Sequence, residues 1–476
     1  MMKKIALRHI LAGVCLALAG PAMAQALSSA FYTDGFVMRH SLNPALGNDS
    51  ITYISIPVVG GLNVRTQGSL AVKNVIFDNP RYGQGSNDKK TTFLNPAISA
   101  EEALKGLKSG DNKILGEVFV PIISIGFPGW GGYNTLEINS RSNFGVSLPY
   151  SFFEFAKNTG NKRYEIGKIV ADAQEYAELA LGHSHKFVDN KLTVGAKVKF
   201  LFGIANAHGE INNLVANLQG DVWTLMGDAA LDISAGDTKF KSEQKEYKRQ
   251  SLGHTTYNQV NDIEFKAGMS GFGLGFDIGA EYKVMEDLKV NFALLDIGFI
   301  SWSKNIRAEN TTKTFTFSGF KDVKVGDNVD DDDPKKFSNM SDSYADQLAD
   351  FAHLEDVGEG KKRTTGLGTT MNFGAEYRLP MYHPLSFGLL STTRFNGNFS
   401  WNEERISANW APLKWLSGGM SFGLGTYGAS TGWIVNIHPK GFNFFVGADH
   451  ILGKMAKQGV PLSSKASVSL GMNITF

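Results

Sequence analysis

Hydrophobic and polar positions alternate without exception over the last thirteen residues of the chain, from Ser464 to Phe476. One face is apolar at six of its seven positions, and the other holds only polar residues or Gly. A period of two predicts a β-strand with one apolar and one polar side. A strand that crosses a bilayer at a tilt needs about 9–11 residues, whereas strands of globular proteins have about 5–6. The pattern predicts a transmembrane strand that ends the chain, with Met472, Ile474 and Phe476 as the signal read by the barrel assembly machinery.

Three further stretches, 191–204, 271–284 and 371–379, alternate in the same way, with every charged residue on the polar face. In a soluble β-sandwich the apolar side would face a core, whereas in an outer-membrane barrel it faces lipid and the polar side faces the lumen. Alternation fits both, but strand length, the terminal aromatic residue and an export signal together favour an all-β transmembrane antiparallel barrel. We therefore expect six charged side chains to face the lumen: Lys197, Lys199, Asp277, Glu281, Glu376 and Arg378.

Turn signals divide the chain into long strands. Tight turns are predicted at 189–190, 285–287, 380–384, 411–412 and 439–441, and long loops at 75–113, 205–262, 303–366 and 452–463. Short periplasmic turns and long extracellular loops are typical of bacterial barrels. Counting back from the last strand places all five tight turns on the periplasmic side. We expect 12 to 16 strands, and favour about 14, starting with a strand at 51–59.

Three segments have the pattern of short helices. The first runs from Asn95-Pro96 to about Leu107, with Asn as the N-cap and Pro in the first turn. The second, 162–179, carries an apolar stripe that includes Ile166, Ile169 and Val170, and the third, 341–354, is amphipathic with acidic residues on its polar face. Each is expected either to cap, plug or gate the barrel or to form a helical turn within a loop.

Residues 1–24 have the features of a cleaved signal peptide: basic residues at the start, an apolar run from Ile10 to Gly20, and Ala22-Met23-Ala24 before the cleavage site. The one cysteine, Cys15, lies inside that run and follows Val14, which does not fit a lipoprotein signal. The mature chain is then free of thiol chemistry. The expected location is the outer membrane of a Gram-negative cell, with a lumenal segment (the hatch) at 25–50 and the barrel at 51–476.

Composition agrees with a barrel. The 476 residues include 53 Gly, 33 Phe, 14 Tyr and 7 Trp. Glycine exceeds the average usage of about 7%, and aromatic residues build the girdles of such barrels. A formal net charge of +1 gives no indication of a nucleic-acid partner.

Candidate chemistry is sparse. His183-Ser184-His185 places two imidazoles on one side of a strand, but no third ligand with recognisable spacing follows, and we interpret them as two solvated histidines. The acidic run Asp327, Asp330, Asp331, Asp332 and Asp333 lacks the Gly and closing Glu of a calcium loop and is interpreted as a loop tip. In a barrel phospholipase, a His two residues before the nucleophilic Ser lies on the same strand face as that Ser. In His40-Ser41 and His183-Ser184 the two residues are adjacent, so their side chains would face opposite sides of a strand. No enzyme activity, metal or cofactor is predicted.

Asn43-Pro44-Ala45 lies just before the first predicted strand. Asn-Pro is a common turn start, and a second Asn-Pro-Ala occurs at 95–97. The long-chain fatty-acid transporter barrels also carry Asn-Pro-Ala, in an N-terminal segment that folds into the lumen. Both interpretations remain open.

Three stretches carry a wider resemblance: Ser41 to Leu46, Lys191 to Lys197 continuing to Gly203–Ala207, and His438 to Phe445. Together they resemble an uncharacterised family of outer-membrane barrels from the Bacteroidota. That family looks like a distant relative of the long-chain fatty-acid transporters and of PorV, the barrel that shuttles cargo in type IX secretion. The resemblance implies a 14-stranded barrel with an N-terminal hatch and no catalytic residues.

Two functions follow as expectations. The first is passive transport of an apolar or amphipathic small molecule past the hatch. The second is a non-catalytic subunit of an envelope complex, for secretion or outer-membrane biogenesis, docked through the loop 303–366, where Phe315, Phe317 and Phe320 precede the acidic run. The charged lumen counts against a simple apolar channel, because its charges either pair across the interior or line a polar pore.

Overall fold

The computed structural model describes residues 27–48, 50–247, 256–320, 323–324, 330, 332–450 and 465–476. The predicted signal peptide, the loop 452–463, Asp327 and Asp331 lie outside the described residues. Among those described, no helix combines the length and the apolar character needed to cross a bilayer.

Strands dominate the chain. The first twelve are β1 Tyr53–Ser55, β2 Leu62–Gly68, β3 Ile76–Asp78, β4 Lys90–Thr92, β5 Asp111–Gly129, β6 Gly132–Pro149, β7 Arg163–Phe187, β8 Leu192–Asn217, β9 Trp223–Ala235, β10 Lys239–Glu246, β11 Thr256–Glu264 and β12 Gly271–Met285. The others are β13 Leu288–Trp302, β14 Asn305–Glu309, β15 Thr314–Phe317, β16 Glu355–Glu359, β17 Arg363–Gly366, β18 Thr369–Arg378, β19 Leu385–Phe395, β20 Trp401–Leu413, β21 Leu416–Gly425, β22 Gly428–Ile437, β23 Phe442–Ala448 and β24 Ala466–Thr475.

Fourteen antiparallel strand positions form a closed barrel, as predicted. The ring runs β5, β6, β7, β8, β12, β13, β18, β19, β20, β21, β22, β23 and β24. β1 and β2 share the fourteenth position, where they pair with β24 on one side and β5 on the other. Closure satisfies the backbone hydrogen bonds of every wall strand, which is the condition for a sheet in lipid.

The predicted period of two is visible in the wall. Along β24, Ser467, Ser469 and Asn473 are buried, while Ile474 on the opposite face is exposed. The outer surface carries exposed large apolar side chains at barrel depth, which is the lipid-facing band expected of such barrels. They include Val194, Val198, Phe202, Phe272, Phe276, Ile278, Phe373, Phe387, Leu389, Ile406, Phe422 and Ile474.

The helix predicted at 162–179 is wrong, because these residues belong to the 25-residue strand β7. Two register shifts flank Gly167, which has a φ of +85°. Around this bulge Ile166, Ile169 and Val170 are all buried, because an extra residue breaks the alternation of a strand. The resulting three-residue spacing of buried side chains imitated a helical stripe.

The loop predicted at 205–262 is also wrong in part. β8 continues to Asn217, and β9, β10 and β11 follow it. Together with β14 and β16 they extend the wall into a sheet beyond the lipid band, in which β8 pairs with β9, β9 with β14, β14 with β16 and β16 with β11. The predicted loop 303–366 likewise contains strands and a helix. The segment 75–113 is irregular apart from the hairpin β3–β4, one helical turn and the start of β5.

Three helices are present among the described residues. The helix α1, Ala100–Leu104, is shorter than the predicted 95–107, and Ser99 rather than Asn95 caps it. The helix α2, Tyr150–Lys157, was not predicted. The helix α3, Phe337–Ala352, occupies the third predicted segment.

The turns follow the predicted topology with small differences. The turn expected at 411–412 is wrong, because β20 runs to Leu413 and β21 begins at Leu416. A sixth tight turn joins β5 to β6 at Trp130 and Gly131, and both have positive φ. The predicted first strand, 51–59, is interrupted, because Val58 has a φ of +69° and β2 begins only at Leu62.

Candidate functional site: the lumen and its N-terminal segment

Residues 27–46 lie inside the barrel and are buried by its inward-facing side chains. Two short 3-10 turns, Ser28–Ala30 and Val37–Ser41, fold this hatch segment back on itself. Its apolar side chains form one cluster with wall residues that include Tyr133, Leu390 and Phe445. The hatch members of this cluster are Leu27, Ala30, Phe31, Tyr32, Phe36, Val37, Met38, Leu42 and Leu46.

Polar side chains fasten the hatch to strands on several sides. The carboxylate of Asp34 lies 2.9 and 3.1 Å from Nη2 of Arg378 on β18. Asp449, after β23, accepts hydrogen bonds from the backbone N–H groups of Ser28 and Ser29 at 2.9 and 2.7 Å. The hydroxyl of Tyr32 donates to the carbonyl of Leu389 at 2.7 Å. Each bond pairs a polar group that burial would otherwise penalise.

Asn43 joins the predicted hatch motif to two neighbouring strands. Its Nδ2 donates to the carbonyl oxygens of Ala280 on β12 and Phe292 on β13, at 3.2 and 3.3 Å. Its Oδ1 accepts from the N–H of Ala45 at 2.9 Å, closing the turn that Pro44 begins. The side chain of Asn43 therefore holds its own turn and the wall at once, and it is fully buried.

Glycine in the wall makes this close approach possible. A Cβ on Gly195 would lie 2.3 Å from the carbonyl carbon of Pro44, and a Cβ on Gly279 would lie 2.0 Å from Oδ1 of Asn43. Real Cβ atoms do not approach other atoms so closely. The hatch motif thus lies against two wall positions where a Cβ would collide with the native motif.

A buried hydrogen-bonded network fastens the middle of the hatch. Nζ of Lys197 lies 2.5 Å from Oε1 of Glu137 and 3.0 Å from Nδ1 of His40. Because an ammonium group only donates, Nδ1 of His40 accepts and Nε2 carries the proton. Nε2 then donates to the hydroxyl of Tyr53 at 2.5 Å, and Tyr53 donates to Ser124 at 2.7 Å. The hydrogen-bond donors therefore follow one another from the ammonium group of Lys197, through His40 and Tyr53, to Ser124 on the wall strand β5.

A second layer of charges lies one step further along β8. Nζ of Lys199 is 2.7 Å from Oδ1 of Asp277 and 2.6 Å from Oδ1 of Asp296. Arg141 completes the layer, with Nε 2.9 Å from Oε2 of Glu178 and Nη1 3.3 Å from Oδ2 of Asp296. These groups pair with one another rather than line an open polar pore.

A bulge aims Asp296 into this layer. Asp296 has a φ of +58°, which is unusual for a residue other than Gly. The β12–β13 register shifts at this point, so that Leu295 and Asp296 are both buried. The backbone N–H of Asp296 donates to Oδ1 of Asp277 at 2.7 Å, which supports the bulge. Bulges of this kind are common next to functional sites.

One ion pair spans the ring. Nε of Arg394 on β19 lies 3.2 Å from Oε1 of Glu117 on β5, although seven strand positions separate them in the ring of fourteen. Nη1 and Nη2 of Arg394 also donate to Thr370 Oγ1 and to the carbonyl of Leu367. The two opposite walls therefore meet through side chains at this level.

Two apolar clusters lie next to this pair. One contains Tyr176, Leu201, Ile300, Trp302 and Leu367. The other contains Leu115, Val170, Phe399 and Trp401. Leu367 provides a carbonyl to Arg394, and Leu115 faces the lumen two residues before Glu117.

Comparison with known proteins identifies a family but no activity. A family model described as a family of unknown function, DUF5723, matches residues 44–449. The chain belongs to DUF5723. No curated protein matches it.

Solved barrels are similar to this DUF5723 chain only at a low level. The toluene transporter TbuX of Ralstonia pickettii is 9% identical, with 96% of this chain and 95% of TbuX covered and a TM-score of 0.38. A Pseudomonas aeruginosa FadL homologue is 11% identical, with 96% and 98% covered and a TM-score of 0.38. The toluene transporter TodX of P. putida is 9% identical, with 96% and 94% covered and a TM-score of 0.36. At these TM-scores none bears on what the DUF5723 chain binds, and the barrel rests on its own strand pairing.

The six charged residues singled out from the sequence fall into two groups in this DUF5723 barrel. Lys197, Lys199 and Asp277 are buried in the two charged networks. The others lie near the end of the barrel that carries the tight turns, where Arg378 binds the hatch at Asp34 and Glu281 pairs with Lys289 at 3.1 Å. Glu376 is buried, with Oε1 3.8 Å from Nη2 of Arg378.

The sequence analysis missed the partners of these charges in the DUF5723 barrel. Glu137 and Arg141 share one face of β6 with Tyr133, Thr135 and Asn139. The opposite face of this strand is only weakly apolar, so its alternation did not stand out in the sequence. Asp296 follows Leu294-Leu295, where the alternation breaks. That break was the available signal for a bulge. The remaining missed residues are Glu117, Glu178 and Arg394.

Proposed function

We propose that this DUF5723 chain is a gated outer-membrane transporter through which apolar or amphipathic small molecules pass passively. The barrel has a lipid-facing apolar band, which supports placement in the outer membrane. Export by a cleaved signal peptide is part of the same proposal. Lys197, Lys199 and Arg141 pair with carboxylates inside the lumen, which disfavours an open polar pore. The surfaces left for a ligand are the apolar clusters, because small-molecule sites are mostly apolar with a few polar groups.

The contacts between the hatch and the barrel wall are the observation that carries this proposal. The hatch packs its own apolar face against the lumen wall and is fastened by hydrogen bonds, as at Asp34 and Asn43. A neutral hydrogen bond such as that of Asn43 contributes about 0.5–1.5 kcal/mol and one to a charged group about 1.5–3 kcal/mol, and both can be exchanged for water. Because the hatch contributes no strand to the ring, its departure from the wall would break side-chain contacts and leave the strand pairing of the barrel intact. Passage then requires the hatch to move and the Arg394–Glu117 pair to separate.

A reversible crosslink between hatch and wall tests the proposal. Cγ of Asn43 lies 2.9 Å from the position of a Cβ on residue 279, so that a sulfur replacing it is within disulfide reach of a second cysteine. The double variant Asn43→Cys with Gly279→Cys locks the hatch when oxidised. The measurement is uptake of a radiolabelled aromatic hydrocarbon and of a radiolabelled alkanoate by Gram-negative cells that lack their own transporter for apolar compounds.

We expect uptake with the unmodified chain, a loss of at least about tenfold with the oxidised double variant, and recovery on reduction. The single variant Asn43→Cys, which cannot crosslink, serves as the matched control and should not respond to oxidant. Equal uptake with and without the barrel, or uptake that ignores the crosslink, would overturn the proposal.

A second candidate function is a scaffold in an envelope complex, and the sheet beyond the lipid band favours it. At its tip, Phe317 packs against Trp223 and Tyr344, with ring centroids 5.6 and 4.7 Å apart, so this aromatic ring already has partners within the chain. Phe320 and Phe337 lie 5.0 Å apart and remain about half exposed. This aromatic tip is a surface that a partner would cover.

Isolation under mild detergent separates the two candidates. A stoichiometric partner that is lost when Phe320 and Phe337 are both changed to Ser supports the scaffold. A solitary barrel that retains hatch-dependent uptake supports transport.

A further inference from the structure

The histidine pair of β7 lies at the periplasmic rim of the barrel, apart from the lumen. His183 and His185 face outward, while Ser184 between them faces the lumen and is buried. The turn that ends β7 begins at Val188. Both imidazoles are therefore on the outer surface, next to Phe187 and within reach of periplasmic water.

A buried amide fixes the tautomer of His183. Asn134 on β6 is only 4% exposed, and its Oδ1 lies 2.9 Å from Nδ1 of His183. Its Nδ2 donates to the carbonyl oxygens of Phe127 and Gly129, at 3.4 and 3.0 Å. Turning the amide over would place Oδ1 against two other oxygens, so Oδ1 must accept from His183.

This hydrogen bond prepares His183 as a metal ligand. Nδ1 carries the proton, and the lone pair is therefore on Nε2. Metal-binding histidines are usually oriented in this way, by donating their other N–H to a carbonyl or carboxylate oxygen.

The spacing of the rings suits one shared ion. The centroids of His183 and His185 are 5.9 Å apart. Two imidazole nitrogens at about 2.0–2.1 Å from one metal ion place their ring centroids about 5–6.4 Å apart, depending on the angle at the metal. The observed centroid distance falls within this range.

We propose that His183 and His185 form a bidentate site for a divalent transition-metal ion. Imidazole suits Cu²⁺, Ni²⁺ and Zn²⁺, and the usual affinity order places Cu²⁺ first. The described residues contain no group of three or more His, Cys, Asp or Glu that could hold a metal, so water completes the coordination. The site is then exchangeable and leaves positions open for a ligand from another molecule. This inference does not depend on transport.

Copper titration of the untagged, detergent-purified chain tests the site, since a histidine tag would mask it. We expect one Cu²⁺ per chain and an electron paramagnetic resonance spectrum with hyperfine coupling to two nitrogens. His185→Gln should weaken binding at least about tenfold and leave one coupled nitrogen. Asn134→Leu keeps both imidazoles but removes the orienting oxygen, and we expect a loss of about 10–100-fold, as for other supporting partners.

His383→Gln is the matched control, because His383 is an exposed histidine in another periplasmic turn, and it should bind copper like the unmodified chain. Heat-modifiable migration on gels shows that each variant is folded. Binding that survives both His183→Gln and His185→Gln, or a spectrum without nitrogen coupling, would overturn the proposal. A loss confined to the histidine variants, with Asn134→Leu unchanged, would contradict the orienting role of Asn134.

Discussion

Arg394 and Glu117 form an ion pair across the barrel, with Nε and Oε1 3.2 Å apart although their strands are seven positions apart in the ring. Both side chains are buried. The two opposite walls therefore meet through side chains, and apolar clusters lie next to the pair.

Removing one member of this pair should destabilise the barrel. Arg394→Gln leaves the carboxylate of Glu117 buried without its partner, and such changes cost about 3–5 kcal/mol. The double variant with Glu117→Gln removes both charges and should recover most of that loss. Denaturant unfolding in lipid vesicles measures stability, and bilayer conductance measures opening, which we expect to rise in the double variant. If the double variant is as unstable as Arg394→Gln, the loss of stability comes from losing the ion pair and not from the unpaired carboxylate of Glu117.

A methyl group added beside Pro44 should displace the hatch from the barrel wall. Gly195→Ala places a methyl group 2.3 Å from the carbonyl carbon of Pro44, and overpacking of this kind costs about 1–3 kcal/mol. Amide hydrogen exchange in residues 30–44 should accelerate by roughly tenfold or more. Gly110→Ala is the control, because nothing lies within 4 Å of a Cβ there. Unchanged exchange in the Gly195 variant would mean that the wall yields instead of the hatch.

The sheet beyond the lipid band should lose stability as pH rises. His208 on β8 lies 2.5 Å from Oδ1 of Asp172, and this hydrogen bond raises the pKa of His208 above 6.5. A raised pKa in the folded state stabilises the fold at low pH, and the contribution disappears as pH rises through that pKa. Asp172→Asn should lower the nuclear magnetic resonance titration midpoint of His208 and flatten the pH dependence. Glu210→Gln, 3.6 Å away, should have the smaller effect.

A charge placed on the outer surface should lower the free energy of unfolding strongly only within the lipid-facing band. Ile278 lies midway along β12 and is exposed on the lipid-facing side. Ile278→Arg should cost about 2–4 kcal/mol, whereas a charge near the interface costs about 0–1. Met269→Arg, placed before the extracellular end of β12, provides the comparison in vesicle unfolding. Equal costs at the two positions would argue against hydrocarbon around Ile278.

Removal of Phe476 should impair assembly in cells. The side chain is exposed and contributes little packing, although its backbone N–H donates to Thr52 at 2.9 Å. We expect the truncated chain to refold in detergent but to reach the outer membrane at a lower level. Phe476→Tyr, which keeps the terminal aromatic ring, should assemble normally. Full membrane levels of the truncated chain would rule out a role in recognition.

The regular strands were predictable because their period of two is local. The alternation of β24 is written in adjacent residues, so neither distant contacts nor closure is needed to see it. The same holds for β8 and β12. Ring closure at about 14 strands followed from strand length and turn spacing.

The irregular positions were not predictable from the pattern. The bulge at Gly167 mixes two faces of β7 and imitated a helix, and the bulge at Asp296 adds a carboxylate where a period of two predicts an apolar residue. Partners such as Arg394 and Glu117 meet only because of the strand order and stagger of a closed ring. No local rule relates residues so distant in sequence.

The length of β7 and β8 sets where the aromatic tip can act. From Ala205 to Asn217, β8 continues for about 40 Å at the usual rise per residue, with β7 and β9 bonded to either side. Because β8 is paired on both sides, this extension is braced, and it carries Trp223 and its neighbours away from the lipid-facing band. A partner of the aromatic tip would therefore bind at the far end of this extension and not against the lipid-facing wall.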